Sequence, residues 1–209
     1  MQLSHADQPN NPPPAFANTA FDVVAIAASA GGLKALSQVL SDLPTDFPAA
    51  VLVLQHLERT HPSLMAEILR RRISLPIKQT EEGDNLSPGQ VYIAQPNYHV
   101  LVNSDGTLSL TQSSTVNFVR PSADVLFESL AKSYRDRAIA VVLTGTGKDG
   151  KQGVQAIAKM GGMVISQDQE TAEHFGMPSS AIDTGIVNLI LPLPEIAETL
   201  IRLVQEGGG

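Results

Sequence analysis

Three side chains read as a nucleophile, a base and an acid, far apart in the chain but at equivalent points of its pattern. Ser29 follows the apolar run Val23–Ala28, His56 follows Ala50–Gln55, and Asp149 lies in the loop after Ala138–Thr144. If these runs are buried strands of an open α/β sheet, ligands bind outside their carboxyl ends. A hydroxyl, an imidazole and a carboxylate gathered there supply acyl-transfer chemistry. The acid orients the base, the base takes the hydroxyl proton, and the oxygen attacks a carbonyl.

Each residue also has a plainer reading. Ser29 stands in Ala27-Ala28-Ser29-Ala30-Gly31-Gly32, where small neighbours admit a carbonyl and two glycines permit a tight turn into a helix. The same stretch fits an N-cap serine or a glycine loop cradling phosphate. His56 has the near-neutral pKa a general base needs, yet also fits a half-buried polar residue ending a strand. His61 is a rival that precedes Pro62; His99 and His174 lie in less favourable contexts, and His5 in the N-terminal segment. Asp149 belongs to Leu143-Thr144-Gly145-Thr146-Gly147-Lys148-Asp149-Gly150, where it can orient a histidine or cap the following helix. The glycines suggest phosphate binding too, but the P-loop spacing is incomplete.

The positioning elements alternate. Strand-length apolar runs are Val23–Ala28, Ala50–Leu54, Ala138–Leu143, Met163–Ser166 and Ile186–Leu191. Helix-like stretches are Gly32–Leu43, Ser63–Ile73, Ala123–Tyr134, Gly150–Met160 and Pro194–Val204. In the first, Leu33, Leu36, Val39, Leu40 and Leu43 make one apolar face. Continuous apolar strands between amphipathic helices predict an α/β fold, a doubly wound, mainly parallel sheet flanked by helices. Gln90–Ala94, His99–Asn103 and Thr107–Gln112, broken by Gln95-Pro96-Asn97 and Asp105-Gly106, predict an antiparallel hairpin insertion around 90–112. The domain is placed at 21–205, after a flexible Pro/Asn-rich leader (1–20) and before a flexible tail at 206–209 ending in three glycines.

Several motifs taken together resemble the protein-glutamate methylesterases of the CheB type. Ala28-Ser29-Ala30-Gly31-Gly32 is similar to their nucleophile segment, Gln55-His56 to their histidine segment, and Leu143–Gly150 to their aspartate loop. Arg120-Pro121-Ser122-Ala123-Asp124-Val125-Leu126-Phe127 and Phe175-Gly176-Met177-Pro178, with Ala181-Ile182 beyond, complete the set in order. The resemblance runs from about Phe21 to Val204. It implies a catalytic triad of Ser29, His56 and Asp149 and an oxyanion contact from the Thr146 backbone amide. It further implies hydrolysis of glutamate methyl esters on chemoreceptors, with glutamine deamidation in many members. No metal or organic cofactor is called for. Ala30 stands where threonine is frequent in that family, and Thr146 where methionine is common. Members commonly carry a phosphoreceiver domain ahead of the catalytic one; only Met1–Ala20 precedes it here, so activity without such gating is expected.

Bulk properties narrow the alternatives. Of 209 residues 43% are hydrophobic and 17% charged, enough for a sizeable core. A formal net charge of −7 argues against a broad nucleic-acid face, and the absence of cysteine removes thiolate metal sites and a thiol nucleophile. No apolar run reaches membrane-spanning length and no signal peptide is evident, so no membrane insertion and a cytoplasmic location are expected. Arg70-Arg71-Arg72 either meets an acidic receptor helix or complements the end of its own helix. A non-catalytic receptor-binding module of the same fold would be marked by loss of a triad residue, and none is lost. A nucleotide-binding protein would need an acidic ribose-binding residue after a full dinucleotide fingerprint, which is missing.

Overall fold

The structure, a computed structural model, describes residues 12–56 and 64–205. The sheet begins with β1 (Val23–Ala28), followed by α1 (Gly32–Ser41), β2 (Ala50–Gln55) and α2 (Met65–Arg70). Two short strands come next, β3 (Ile77–Gln79) and β4 (Val91–Ile93), then a hairpin of β5 (His99–Val102) and β6 (Leu108–Thr111). The second half contains α3 (Ala123–Tyr134), β7 (Ala138–Val142), α4 (Lys151–Lys159), β8 (Met163–Gln167), α5 (Gly176–Ile182), β9 (Leu189–Leu191) and α6 (Leu193–Gln205).

Seven strands form one parallel sheet in the order β3-β4-β2-β1-β7-β8-β9. Side-chain alternation divides its core in two. Val24, Ile26 and Ala28 of β1 pack with Leu36 and Leu40 of α1 and Leu200 of α6. Val23, Ala25 and Ala27 face the opposite layer, with Leu126, Phe127 and Leu130 of α3 and Val154 and Ile157 of α4. Both faces of β1 are covered, and for that reason its sequence is apolar without a break.

The hairpin is smaller than the pattern predicted. β5 and β6 pair antiparallel as a separate sheet, with His99 opposite Thr111 and Val102 opposite Leu108. Val91–Ile93, expected in that insertion, instead lies in the main sheet between β2 and β3. All three of its residues are buried, as in a strand covered on both faces. Further corrections are local. Residues 186–188 precede β9 rather than joining it, and the helix predicted over 63–73 is α2, six residues long.

Part of the N-terminal segment expected to be flexible is fastened down over residues 12–20. Pro13 is buried and its carbonyl accepts from Arg137 Nη2 at 2.6 Å, while the Phe16 amide donates to Asp22 Oδ1 at 3.1 Å. Asp22, wholly buried, pairs with Arg137. Arg70 donates through Nη2 to the Ile77 carbonyl at 3.3 Å. Residues 1–11 of the leader with His5, the 206–209 tail and the rival His61 lie outside the described residues.

β1 adjoins β2 on one side and β7 on the other, and the helices that follow β1 and β7 lie on opposite faces. A crevice therefore opens at the carboxyl ends of β1, β7 and β2, the switch point where such sheets bind ligands.

Candidate active site

Backbone hydrogen bonds extend the strand ladders into this crevice. Leu143 N donates to Ala27 O at 2.9 Å, Ser29 N to Thr144 O at 3.0 Å, and His56 N to Ala28 O at 3.0 Å. The residues following β1, β2 and β7 are thus held in register beyond the last regular pair. Ser29, His56 and Asp149, separated by up to 120 positions, line one cavity of about 480 Å³ with Asn117, Phe118, Val119, Thr146, Gly147 and Lys148.

Asp149 is 4% exposed and His56 11%, and His56 Nε2 lies 2.9 Å from Asp149 Oδ2. The carboxylate also accepts from Ser122 Oγ at 2.7 Å, the Ala123 amide at 2.5 Å and the Asp124 amide at 3.3 Å. Burial alone would raise its pKa. The hydrogen bonds from His56, Ser122 and Ala123 outweigh that and hold the carboxyl below the usual aspartate value. An ionised carboxylate can only accept, so the proton of this contact sits on Nε2.

The capping alternative for Asp149 also describes the structure, but with a different helix. Its carboxylate receives the first two amides of α3, 25 and 26 residues away, rather than those of α4. The α4 amides of Gln152 and Gly153 are taken by Asp124 Oδ1 at 2.9 and 2.8 Å. Each helix is capped by an aspartate attached to the other, and Ser122, at the N-cap position of α3, turns its hydroxyl to Asp149. Burial pushes the Asp124 carboxyl up, against the Gly153 amide that holds it down. Gly153 permits the close approach of the two helices, since a Cβ there would lie 2.6 Å from Phe127 Cβ.

The loop that carries Ser29 is held from behind. Gln55 Nε2 donates to the Ser29 carbonyl at 2.6 Å and the His56 carbonyl at 3.1 Å. Gly31 takes a left-handed φ of 77° to enter α1. Gly145 lies so close to the serine that an added Cβ would come within 2.8 Å of Ser29 Cβ and 2.5 Å of Met177 Sδ. Thr144 and the Gly145 amide bind the His174 backbone, which sets the Phe175–Pro178 segment against this loop. Among the described residues, Ser29 Oγ makes no hydrogen bond, and no carbonyl accepts from the amides of Ala30 or Thr146.

Sequence reasoning assigned no role to Ser122, Asp124 or Gln55. The first two lie in a segment singled out for its pattern, and serine ahead of a helix start was the available signal. The partners those two find at Asp149, Gln152 and Gly153 lie 27 to 29 residues away and leave no local trace. His99 is wholly buried on β5, where its Nδ1 accepts the Ser122 amide at 3.2 Å.

A doubly wound α/β protein with a serine, a histidine and a buried carboxylate at its switch point has the constitution of a serine hydrolase. The sequence profile of the CheB methylesterase family matches residues 24–200. A Leptospira interrogans relative is 41% identical over 185 residues, covering 88% of this chain and 96% of that one. The protein-glutamate methylesterase/protein-glutamine glutaminase of group 3 operon of Rhizobium meliloti is 36% identical over 204 residues, 98% of this chain but 58% of that protein. The crystal structure of the Thermotoga maritima CheB methylesterase catalytic domain superposes with a TM-score of 0.85 at 37% identity, covering 88% of this chain and 99% of that one. The chain belongs to the CheB methylesterase family, whose members are carboxylic ester hydrolases. Among the described residues, no helix is long and apolar enough to cross a membrane.

Proposed function

We propose that this protein demethylates glutamate methyl esters on a chemoreceptor-like signalling protein, with Ser29 as nucleophile, His56 as general base and Asp149 as its orienting acid. The observation that carries the reading is the 2.9 Å His56–Asp149 contact beside Ser29 in one cavity. With Nε2–H held by Asp149, Nδ1 receives the Ser29 proton as Oγ attacks the ester carbonyl. The negative oxygen that develops is met by the amides of Ala30 and Thr146. Methanol leaves with the proton returned from His56. Water, deprotonated by the same imidazole, then hydrolyses the acyl-enzyme to glutamate and frees Ser29. Glutamine deamidation follows the same path with ammonia as the leaving group, in keeping with the protein-glutamine glutaminase activity for which the Rhizobium relative is named. The proposed substrate, a receptor's cytoplasmic region, puts the protein in the cytoplasm.

The test is methanol release from a methyl-esterified chemoreceptor cytoplasmic fragment. Wild type should release methanol, and Ser29→Ala should reduce kcat by three or more orders of magnitude, roughly the loss on removing a hydrolase nucleophile, with an unchanged Tm. Near-native turnover in a folded Ser29→Ala protein rejects the mechanism.

A further inference from the structure

A nearly fully exposed aromatic ring stands at the mouth of the cleft. Phe118 is 94% exposed and lines the same cavity as Ser29 and His56. It rides on a tight turn in which Val116 and Val119 exchange backbone hydrogen bonds at 3.2 and 3.0 Å. The two residues between them, Asn117 and Phe118, are both left-handed, with φ of 49° and 66°. Such a turn favours asparagine followed by glycine. Asn117 suits its position, whereas Phe118 occupies the one where glycine belongs. A bulky residue at positive φ is a conformational outlier, and a residue this exposed contributes little to the core. Neither backbone preference nor core packing accounts for phenylalanine here.

The mount is nevertheless rigid. Asn117 Nδ2 donates to Asp124 Oδ2 at 2.9 Å. Arg120 Nη1 donates to the Gln112 and Ser113 carbonyls at 2.6 Å each, and its Nε and Nη2 bind Asn97 Oδ1 at 3.1 and 2.7 Å. Asp124 is itself held by the α4 amides beside Asp149. The ring is therefore presented from the same framework that fixes the acid and the base.

We propose that Phe118 is a docking residue that adapts this cleft to a protein substrate. Its ring packs on an apolar side chain next to the methylated glutamate and steers the ester toward Ser29. The inference rests on the methylesterase reading above and adds what the substrate must offer, an exposed apolar residue flanking the target. Lys148, exposed on the other loop lining the cavity, suits the unmethylated carboxylates of such a surface. A rigid aromatic with few rotatable bonds is the kind of residue on which interface energy concentrates.

The experiment compares kcat/KM of the full chain on p-nitrophenyl acetate with kcat/KM for methanol release from a methyl-esterified chemoreceptor cytoplasmic fragment. Phe118→Ala should lower the protein value about 30-fold more than the small-ester value, mainly through KM, the loss of one anchor residue. Phe118→Gly should show the same selective loss with a raised Tm, since glycine relieves the left-handed φ. Phe118→Trp should retain most of the protein activity. Equal losses on both substrates would make Phe118 part of the cleft's shape, and no loss on either would make it an ordinary surface residue; each overturns the proposal. Wild type that cleaves p-nitrophenyl acetate but releases no methanol from the fragment removes the methylesterase reading and the docking role together. Methanol release that the variants match removes the docking role alone.

Discussion

The two sides of the cleft are built differently. On the acid–base side Asp149 is buried and accepts four hydrogen bonds, from an imidazole, a hydroxyl and two helix amides. On the nucleophile side Ser29 is half-buried, its hydroxyl bonds no described residue, and the amides of Ala30 and Thr146 meet no described carbonyl. In the proposed mechanism the carboxylate, which keeps its charge and orientation through turnover, is over-determined, whereas the hydroxyl and amides that engage substrate are left open. Catalytic hydrogen bonds to a nucleophile commonly tighten only when substrate arrives.

The largest departure should come from changing the closed side. Asp149→Asn replaces one carboxylate oxygen by a donor, so a single oxygen remains and the side chain can no longer accept all four hydrogen bonds, two at each oxygen, that Asp149 accepts. A fall in kcat on the order of a thousand- to ten-thousand-fold is expected, with a stability loss of roughly 1–3 kcal/mol from unpaired buried donors. Steady-state kinetics and thermal melts read both. A variant that loses stability but keeps kcat would make Asp149 a helix cap and nothing more.

A smaller effect should follow from intruding on the open side. Gly145→Ala puts a methyl group 2.8 Å from Ser29 Cβ and 2.5 Å from Met177 Sδ, so the serine or the methionine must shift. A misplacement near 1 Å lowers kcat by about 100-fold. The decrease should appear in kcat on p-nitrophenyl acetate as well as on a protein ester. An unchanged kcat would place the displacement at Met177 instead.

The mildest change trims the closed side by a single donor. Ser122→Ala removes one of the hydrogen bonds that hold the Asp149 carboxyl below its usual value, so its folded pKa should rise. Because that folded value lies below the unfolded one, near 3.9, Asp149 stabilises the fold above the unfolded pKa. The contribution is lost as pH falls through the folded value. In Ser122→Ala the total contribution should be smaller and its loss complete at a higher pH, and kcat at neutral pH should fall about 10-fold. Acid unfolding curves that coincide with wild type would show that Ser122 does not support the carboxylate.

The same contrast explains what the sequence made legible. Ser29, His56 and Asp149 could be singled out because Ser29 and His56 directly follow apolar runs and Asp149 lies in the glycine-rich loop after a third, and such runs mark the strands that set the switch point. α3 matches the helix-like stretch of the pattern at its full extent, Ala123–Tyr134. The cross-capping of α3 and α4 could not be read, since Asp124 and Asp149 look like ordinary helix-start residues until the two helices pack. Val91–Ile93 carries three residues of strand signal, too few to tell a sheet strand from a hairpin arm. β3, Ile77–Gln79, is equally short, and α5 opens with Gly176 and has Pro178 in its first turn, residues that give no helix signal by themselves. The Val116–Val119 turn was missed because phenylalanine sits where glycine would have announced it.

The central claim is that Ser29 is a nucleophile activated by His56. Its most direct test is labelling with a fluorophosphonate, which forms a covalent adduct only with an activated serine, followed by peptide mass spectrometry. The account predicts a single adduct on the peptide containing Ser29, none in Ser29→Ala, and labelling slowed by orders of magnitude in His56→Gln. An adduct on another residue, or labelling of Ser29 at wild-type rate in His56→Gln, would contradict it.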